Sequence, residues 1–225
     1  MKWKALLVKN YTIEKRERVT ITLDPNVKQL NIIAQEGSQV TCYFALTNFK
    51  DSRIMSITCI ALRNAEIKLY GQVKEQSDNN FECTIECILQ EQGSAIAVSL
   101  LTQVGGAARQ VITTKQIHRA PDTQSAMSIR SVVEGRSNHT YTALIRLEKE
   151  SLKADAKQEN KILLLSPTAH ATSEPTLEIL HDNVQCGHGT AISSLDQEQL
   201  FYLAVRGLEP LQAQNILVKA FLNYE

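Results

Sequence analysis

The sequence predicts a mainly β protein, a solenoid of short strands followed by two C-terminal helices, on three observations. Short segments with an apolar period near two follow one another from about residue 4 to about residue 165, their connectors recur at broadly regular intervals, and no long crossover helix intervenes. The segments are RVTITL, VTCYFAL, IMSITCIAL, AEIKLYG, FECTIECIL, SAIAVSLL, ARQVITTKQIH, SAMSIRSVV and HTYTALIRL. Each is rich in Val, Ile, Thr and Leu, residues that suit a pleated, half-buried surface. In FECTIECIL, Phe81, Cys83, Ile85 and Cys87 fall on one face, and Glu82, Thr84 and Glu86 on the other. The connectors QEGS, NFKDS, QSDNN and EQGS carry turn chemistry, as does VGGAAR at 104–109. A spacing of roughly 10 to 14 residues between strand centres fits a sandwich, a barrel or a solenoid. The similar strand lengths and regular connectors favour the solenoid, although the strict six-residue period of a hexapeptide helix is absent.

The C-terminal segments read as helices. In LDQEQLFYLAVRG, Asp196 is placed as an N-cap with Gln199 three residues later, Leu195 and Leu200 form a hydrophobic staple, and Gly207 is a stop. In EPLQAQNILVKAFLNYE, Pro210 suits a first helical turn, and Ala213, Ile216, Leu217, Ala220 and Phe221 recur on one face. The expected division is a β core over 1–193 and a helical domain over 194–225. At least one helix is expected to dock on the end of the solenoid or on another protein.

Composition narrows the function classes. The chain has 225 residues, 43% of them hydrophobic and 21% charged, so it can bury a core and is not a disordered polymer. Lys plus Arg equal Asp plus Glu at 24 each, which gives no overall footprint for nucleic acid or an anionic membrane. The ALLV run near the N-terminus is too short for the centre of an export signal, and no stretch approaches the roughly 20 apolar residues of a membrane span. A cytoplasmic setting with free thiols is the expectation for the five cysteines, whose odd number argues against a pure disulfide framework.

Chemistry concentrates at CGHG. Cys186 and His188 stand two apart, a soft thiolate and a borderline imidazole whose combination suits iron, iron–sulfur species or zinc. Two ligands do not hold a metal alone, and the same residues also read as a small buried thiol and a turn histidine between bend-forming glycines. His118, His139, His170 and His181 are scattered over strands and loops. Cys42, Cys59, Cys83 and Cys87 read as core, since free cysteine is among the most buried residue types. The motifs GxxxxGK[ST], GxGxxG, HExxH and GxSxG are absent, and Glu134 and Asp155 form no defensible acid–base pair. Aromatic residues make up 5%, few for the sugar platforms of a carbohydrate-active β-helix enzyme.

Three stretches in order carry a resemblance: ADAKQENKILLLS with Asp155, Gln158 and Asn160, then PTLEILHDNVQCGHGT, then LDQEQLFYLAVRGL. From about Asn138 to the end, the sequence resembles the SufB/SufD family of the SUF iron–sulfur cluster assembly system, and within it SufD. The resemblance implies a right-handed parallel β-helix followed by a small C-terminal α-helical domain. It implies a non-catalytic scaffold subunit that pairs with a SufB-like protein as a heterodimer and docks a SufC-like ATPase; the exposed strands equally fit a homodimer. Cys186 and His188 map onto the family's interface pair, so a transient iron–sulfur cluster or iron would sit between chains, with none bound stably by this chain alone. Leu200, Phe201, Tyr202, Arg206, Leu211 and Ile216 are the helix residues expected to meet the ATPase. The resemblance also leads one to expect an N-terminal helical region ahead of the β-helix, whereas in this sequence the strand pattern begins almost at once. The competing reading is a β-solenoid interaction protein without cluster chemistry.

Overall fold

Period-two alternation and regularly placed corners wind this chain into stacked coils. The computed structural model describes residues 8–222, so the ALLV run, apart from Val8, lies outside the described residues. In chain order the strands are β1 (Val8–Ile13), β2 (Arg18–Thr22), β3 (Gln29–Ala34), β4 (Gln39–Thr47), β5 (Arg53–Ala61), β6 (Glu66–Glu75), β7 (Phe81–Leu89), β8 (Ala95–Val104), β9 (Arg109–His118), β10 (Gln124–Val133), β11 (Asn138–Leu147), β12 (Asp155–Leu164), β13 (His170–Ile179) and β14 (Gln185–Ser194). The helices α1 (Gln197–Val205) and α2 (Pro210–Leu222) follow. The nine segments read as strands from the sequence are β2 and β4 to β11.

Odd strands form one seven-stranded sheet and even strands another, in the orders β1-β3-β5-β7-β9-β11-β13 and β14-β12-β10-β8-β6-β4-β2. The neighbours pair in parallel, each strand with the one a coil earlier or later. This is the β-solenoid, because a sandwich or an up-and-down barrel would set antiparallel neighbours side by side. The corners repeat as well: Arg16, Gly37, Asn64, Gly93, Asp122 and Lys153 have φ between 52° and 73°, and their backbones bond from coil to coil, Gly37 N–H to Arg63 O and Gly93 N–H to Pro121 O. Glycine, asparagine and aspartate tolerate that left-handed conformation best.

Parallel register stacks inward side chains in columns. One runs Ile21, Cys42, Leu69, Val98, Met127, Gln158, His188, and its neighbour runs Phe44, Gly71, Leu100, Ile129, Asn160, Thr190. Gly71 is there because Phe44 needs its space: a Cβ would stand 2.3 Å from the Phe44 ring and 2.7 Å from Leu100. Cys42, Cys59, Cys83 and Cys87 are all buried and free, as expected. Burial pushes the Cys42 and Cys83 thiols up to about 12, and Cys59 is raised first by its hydrogen bond with Cys87, its register neighbour. These are packing residues, since nucleophilic and metal-binding chemistry needs the thiolate.

In the later coils the interior becomes polar. Thr102 Oγ1 donates to Gln110 Oε1 at 2.8 Å and lies 2.9 Å from Ser131 Oγ; Thr114 and Tyr141 share a 2.8 Å hydroxyl contact. His118, at the end of the strand segment ARQVITTKQIH, is buried and hydrogen-bonded, its two ring nitrogens 2.7 Å from Thr123 Oγ1 and Ser125 Oγ. His139 is also fully buried.

The helices bear out their punctuation. Asp196 caps α1 by accepting from Glu198 N–H at 2.8 Å and Gln199 N–H at 3.4 Å. Gly207, at φ +88°, ends it, with Leu208 N–H returning to Leu203 O. α2 begins at Pro210 and packs Val218, Phe221 and Leu222 over Val132 and Leu163 on the outer side of the even sheet. Arg130 on β10 donates to Phe221 O at 2.8 Å. The buried stripe of α2 differs from the expected one: Ala213 and Val218 are buried, while Ile216 and Ala220 face solvent. The sheet meets the helix through Val218, which periodicity counted from Ala213 had left off the apolar face.

Two outcomes follow from this packing. Gly71→Ala should destabilise by about 1–3 kcal/mol through overpacking; Phe44→Leu in the same chain should recover part of that loss, read from urea midpoints in a double-mutant cycle. His118 and His139 are held neutral by burial, with pKa values lowered from 6.5 to about 4. Between those values the unfolded chain binds protons that the folded chain does not, so stability is full above pH 6.5 and falls as pH drops toward 4. The loss should be on the order of 3 kcal/mol per histidine across the window. Denaturation curves at pH 7 and pH 4.5 measure it, and His139→Leu should flatten the profile.

Candidate functional site

Cys186 and His188 lie on the inner face of β14, the last strand of the even sheet. The tight-turn reading of CGHG does not hold, because Cys186 to Gly189 are within a ten-residue strand. Neither Gly187 nor Gly189 is among the residues at positive φ, and a Cβ added at either would meet no atom within 4 Å. The strand runs on to Ser194, so helix α1 does not abut the pair.

Register explains the setting. Cys186 stacks on Ala156, His188 on Gln158, Thr190 on Asn160 and Ile192 on Ile162. The four residues beneath are buried, whereas among the described residues no further strand lies above β14, so its inward residues are half-buried or exposed. Cys186 packs at the edge of an apolar cluster of Ile145, Leu147, Ala154 and Ala156. Beside it the face becomes polar: Asn160 Nδ2 donates to Ser173 Oγ at 3.0 Å, and Ser173 is 3.3 Å from Thr190 Oγ1.

The electrostatics hold Cys186 as a thiol. Burial raises its pKa first and the nearby Asp155 carboxylate second. Asp155 is itself paired with Lys157 at 3.0 Å, and Glu134 is held by Gln103 at 3.4 Å, so the two carboxylates have separate settings.

The arrangement can supply two ligands to one ion. Side chains at i and i+2 on a strand share a face and start about 6.6 Å apart, and Zn–S and Zn–N bonds of about 2.3 and 2.0 Å show the reach needed. No group of three or more His, Cys, Asp or Glu side chains able to hold a metal occurs among the described residues. A closed site therefore requires donors from outside the described residues. On the outer side of the same sheet an open groove of about 690 Å³ runs from Tyr70 past Ser99 and Ser128 to Gly187.

The other residues singled out from the sequence lie on the helices. Phe201, Tyr202, Leu211 and Ile216 are exposed at 71, 57, 68 and 44%. Leu200 is half-buried and the Arg206 guanidinium lies 5.3 Å from the Tyr202 ring centre. α1 buries none of its residues. No described helix is long and apolar enough to cross a membrane. Sequence reasoning had not joined Asp155 or Ala156 to Cys186, nor Gln158 to His188; laying the chain out coil by coil would have placed them on adjacent rungs.

Comparison with known proteins agrees with this geometry. The family model described as SUF system FeS cluster assembly, SufBD core domain, matches residues 30–221. The chain is 33% identical over 92 residues to iron-sulfur cluster assembly protein SufD of Escherichia coli, covering 41% of this chain and 22% of that protein. It is 28% identical over 136 residues to iron-sulfur cluster assembly protein SufB of Bacillus subtilis, covering 60% and 29%. Protein ABCI7, chloroplastic, of Arabidopsis thaliana is 38% identical over 90 residues, covering 40% and 19%. The matched part thus spans less than a third of each of these relatives. With the family model covering most of its length and the parallel solenoid in place, the chain belongs to the SufBD family of SUF iron–sulfur cluster assembly proteins.

Proposed function

We propose that this chain is a SufD-type scaffold subunit: it pairs with a SufB-like protein, docks a SufC-like ATPase, and lends Cys186 and His188 to iron or a nascent iron–sulfur cluster as cargo. The observation that carries this reading is the position of the pair on the inner face of a terminal strand that has no rung above it among the described residues. An exposed strand edge is a template for a second chain, and a partner seated there would bring the missing ligands to the two present. The glycines support the same reading. Gly187 and Gly189 leave the outer side of β14 nearly bare with neither a conformational nor a packing reason inside this chain, so close approach by a partner accounts for them.

The buried-side pull on the Cys186 thiol has a consequence for timing. Because the chain alone favours the protonated form, ligation begins only when iron or a partner cation displaces the proton. Docking of the ATPase is assigned to α1 and the start of α2, whose Phe201, Tyr202 and Leu211 are apolar and uncovered. Large exposed apolar groups in one small region mark a protein contact.

His188→Ala should leave the complex with both partners intact and abolish maturation of an iron–sulfur enzyme in cells dependent on this chain. Pull-down and aconitase-type activity measured side by side check both halves. Loss of neither would favour the solenoid that serves interaction alone, and purification as a homodimer without ATPase would overturn the pairing. Phe201→Glu with Tyr202→Glu should release the ATPase while the melting temperature stays within a few degrees, since both side chains are largely exposed.

A further inference from the structure

We infer that Arg130 is a positioning residue for the platform formed by α1 and α2: by holding the C-terminal end of α2 against the outer face of β10, it fixes where the platform presents its uncovered apolar side chains to the ATPase. This rests on the reading of those side chains as the docking face. The apolar seat of the platform is small. Of the thirteen residues of α2 only Ala213 and Val218 are buried, and α1 buries none. On the sheet, Val218 packs over Val132 and Leu163, while Leu195, Phe221 and Leu222 are only partly covered. Local opening costs least where few apolar contacts are buried, so a seat of this size lets a helix pair part from a sheet that stays folded.

The guanidinium adds what the apolar seat lacks. Arg130 Nη1 donates to Phe221 O at 2.8 Å, and the guanidinium carbon lies 5.9 Å from the centre of the Phe221 ring. Phe221 O is among the last four carbonyls of α2, which no N–H inside the helix can reach, and the negative end of the helix dipole favours a cation there. One side chain on the sheet therefore caps the helix, meets its dipole and lies by its last aromatic ring. Register shows that the adjacent cation serves another partner. Arg130 stands between Leu101 on β8 and Lys161 on β12, and Lys161 is paired with Glu159 of its own strand at 2.7 Å. β10 is in register with β8 and β12 along all ten of its residues, so the base of the contact is fixed.

Hydrogen exchange of the full chain, followed separately over 197–222 and over β10 and β12, tests this. Arg130→Met keeps an unbranched apolar stem and removes the charge and the donors. Exchange over 210–222 should become roughly 10–100-fold faster, the worth of a hydrogen bond to a charged group, while β10, β12 and the melting temperature of the solenoid stay as in wild type. Unchanged exchange in the helices overturns the inference. Faster exchange through helices and solenoid alike also overturns it, because that marks a residue of general stability. In the assembled complex, Arg130→Glu, which replaces attraction at the helix end by repulsion, should weaken docking of the SufC-like ATPase by about 10-fold, in proportion to the fraction of platform left seated. Wild-type affinity with a freed platform overturns the positioning role. Where Phe201→Glu with Tyr202→Glu leaves the ATPase bound, the docking-face reading itself falls, and exchange in Arg130→Met still decides whether this residue holds the platform.

Discussion

Parallel in-register stacking sets every inward side chain against its counterpart a coil earlier, and most of this molecule follows from that constraint. Within the stack each rung is covered on both sides, so Leu69, Val98 and Met127 need only be apolar and of compatible size. The same rule governs the corners, where a left-handed residue at one and the same corner of each coil keeps the turns superimposed from Arg16 to Lys153. A stack must also end. At its last rung, the residues that would be core in any other coil are uncovered, and in this chain they are the half-buried Cys186 and the exposed His188, Thr190 and Ile192. Donors thus occupy the one inward face of the even sheet that has no successor.

Ending the stack also sets the chemistry of the donors. Cys186 retains enough apolar contact with Ala156 and its neighbours, and enough of the Asp155 charge, to stay a thiol, whereas His188 stands in the open. Cys42 and Cys83 show the other extreme: full cover raises their pKa values so far that they act as small apolar groups. The gradient from sealed cysteine to half-covered cysteine along one solenoid separates thiols that only pack from one that solvent can reach, without any change of residue type.

The strands and helix caps were legible because they are local. Alternation in FECTIECIL marks β7, and Asp196 and Gly207 bound α1 through contacts within a few residues. CGHG misled for the same reason: two glycines around a histidine look like a turn, and only the pairing of β14 with β12 makes them strand. His118 and His139 also escaped local reading, since their burial depends on which rung of the other sheet they face. Polar side chains inside a solenoid are invisible to hydrophobic periodicity, and β13, with a run of polar residues and Pro175 on a terminal strand, carried little strand signal for that reason.

β12 connects the two ends of the proposed function. On its inner side Gln158 lies under His188, and on its outer side Leu163 lies under Val218 of α2. α1 is nine residues long and buries nothing, too short to be stable alone, so its caps and its contact with α2 hold it in place. α1 rests on α2, and α2 rests on the outer faces of β10 and β12. Because a β-strand places successive side chains on opposite faces, β12 turns Leu163 toward α2 and Gln158 toward the interior beneath the terminal rung, so the helices and the last rung are built on the same strand.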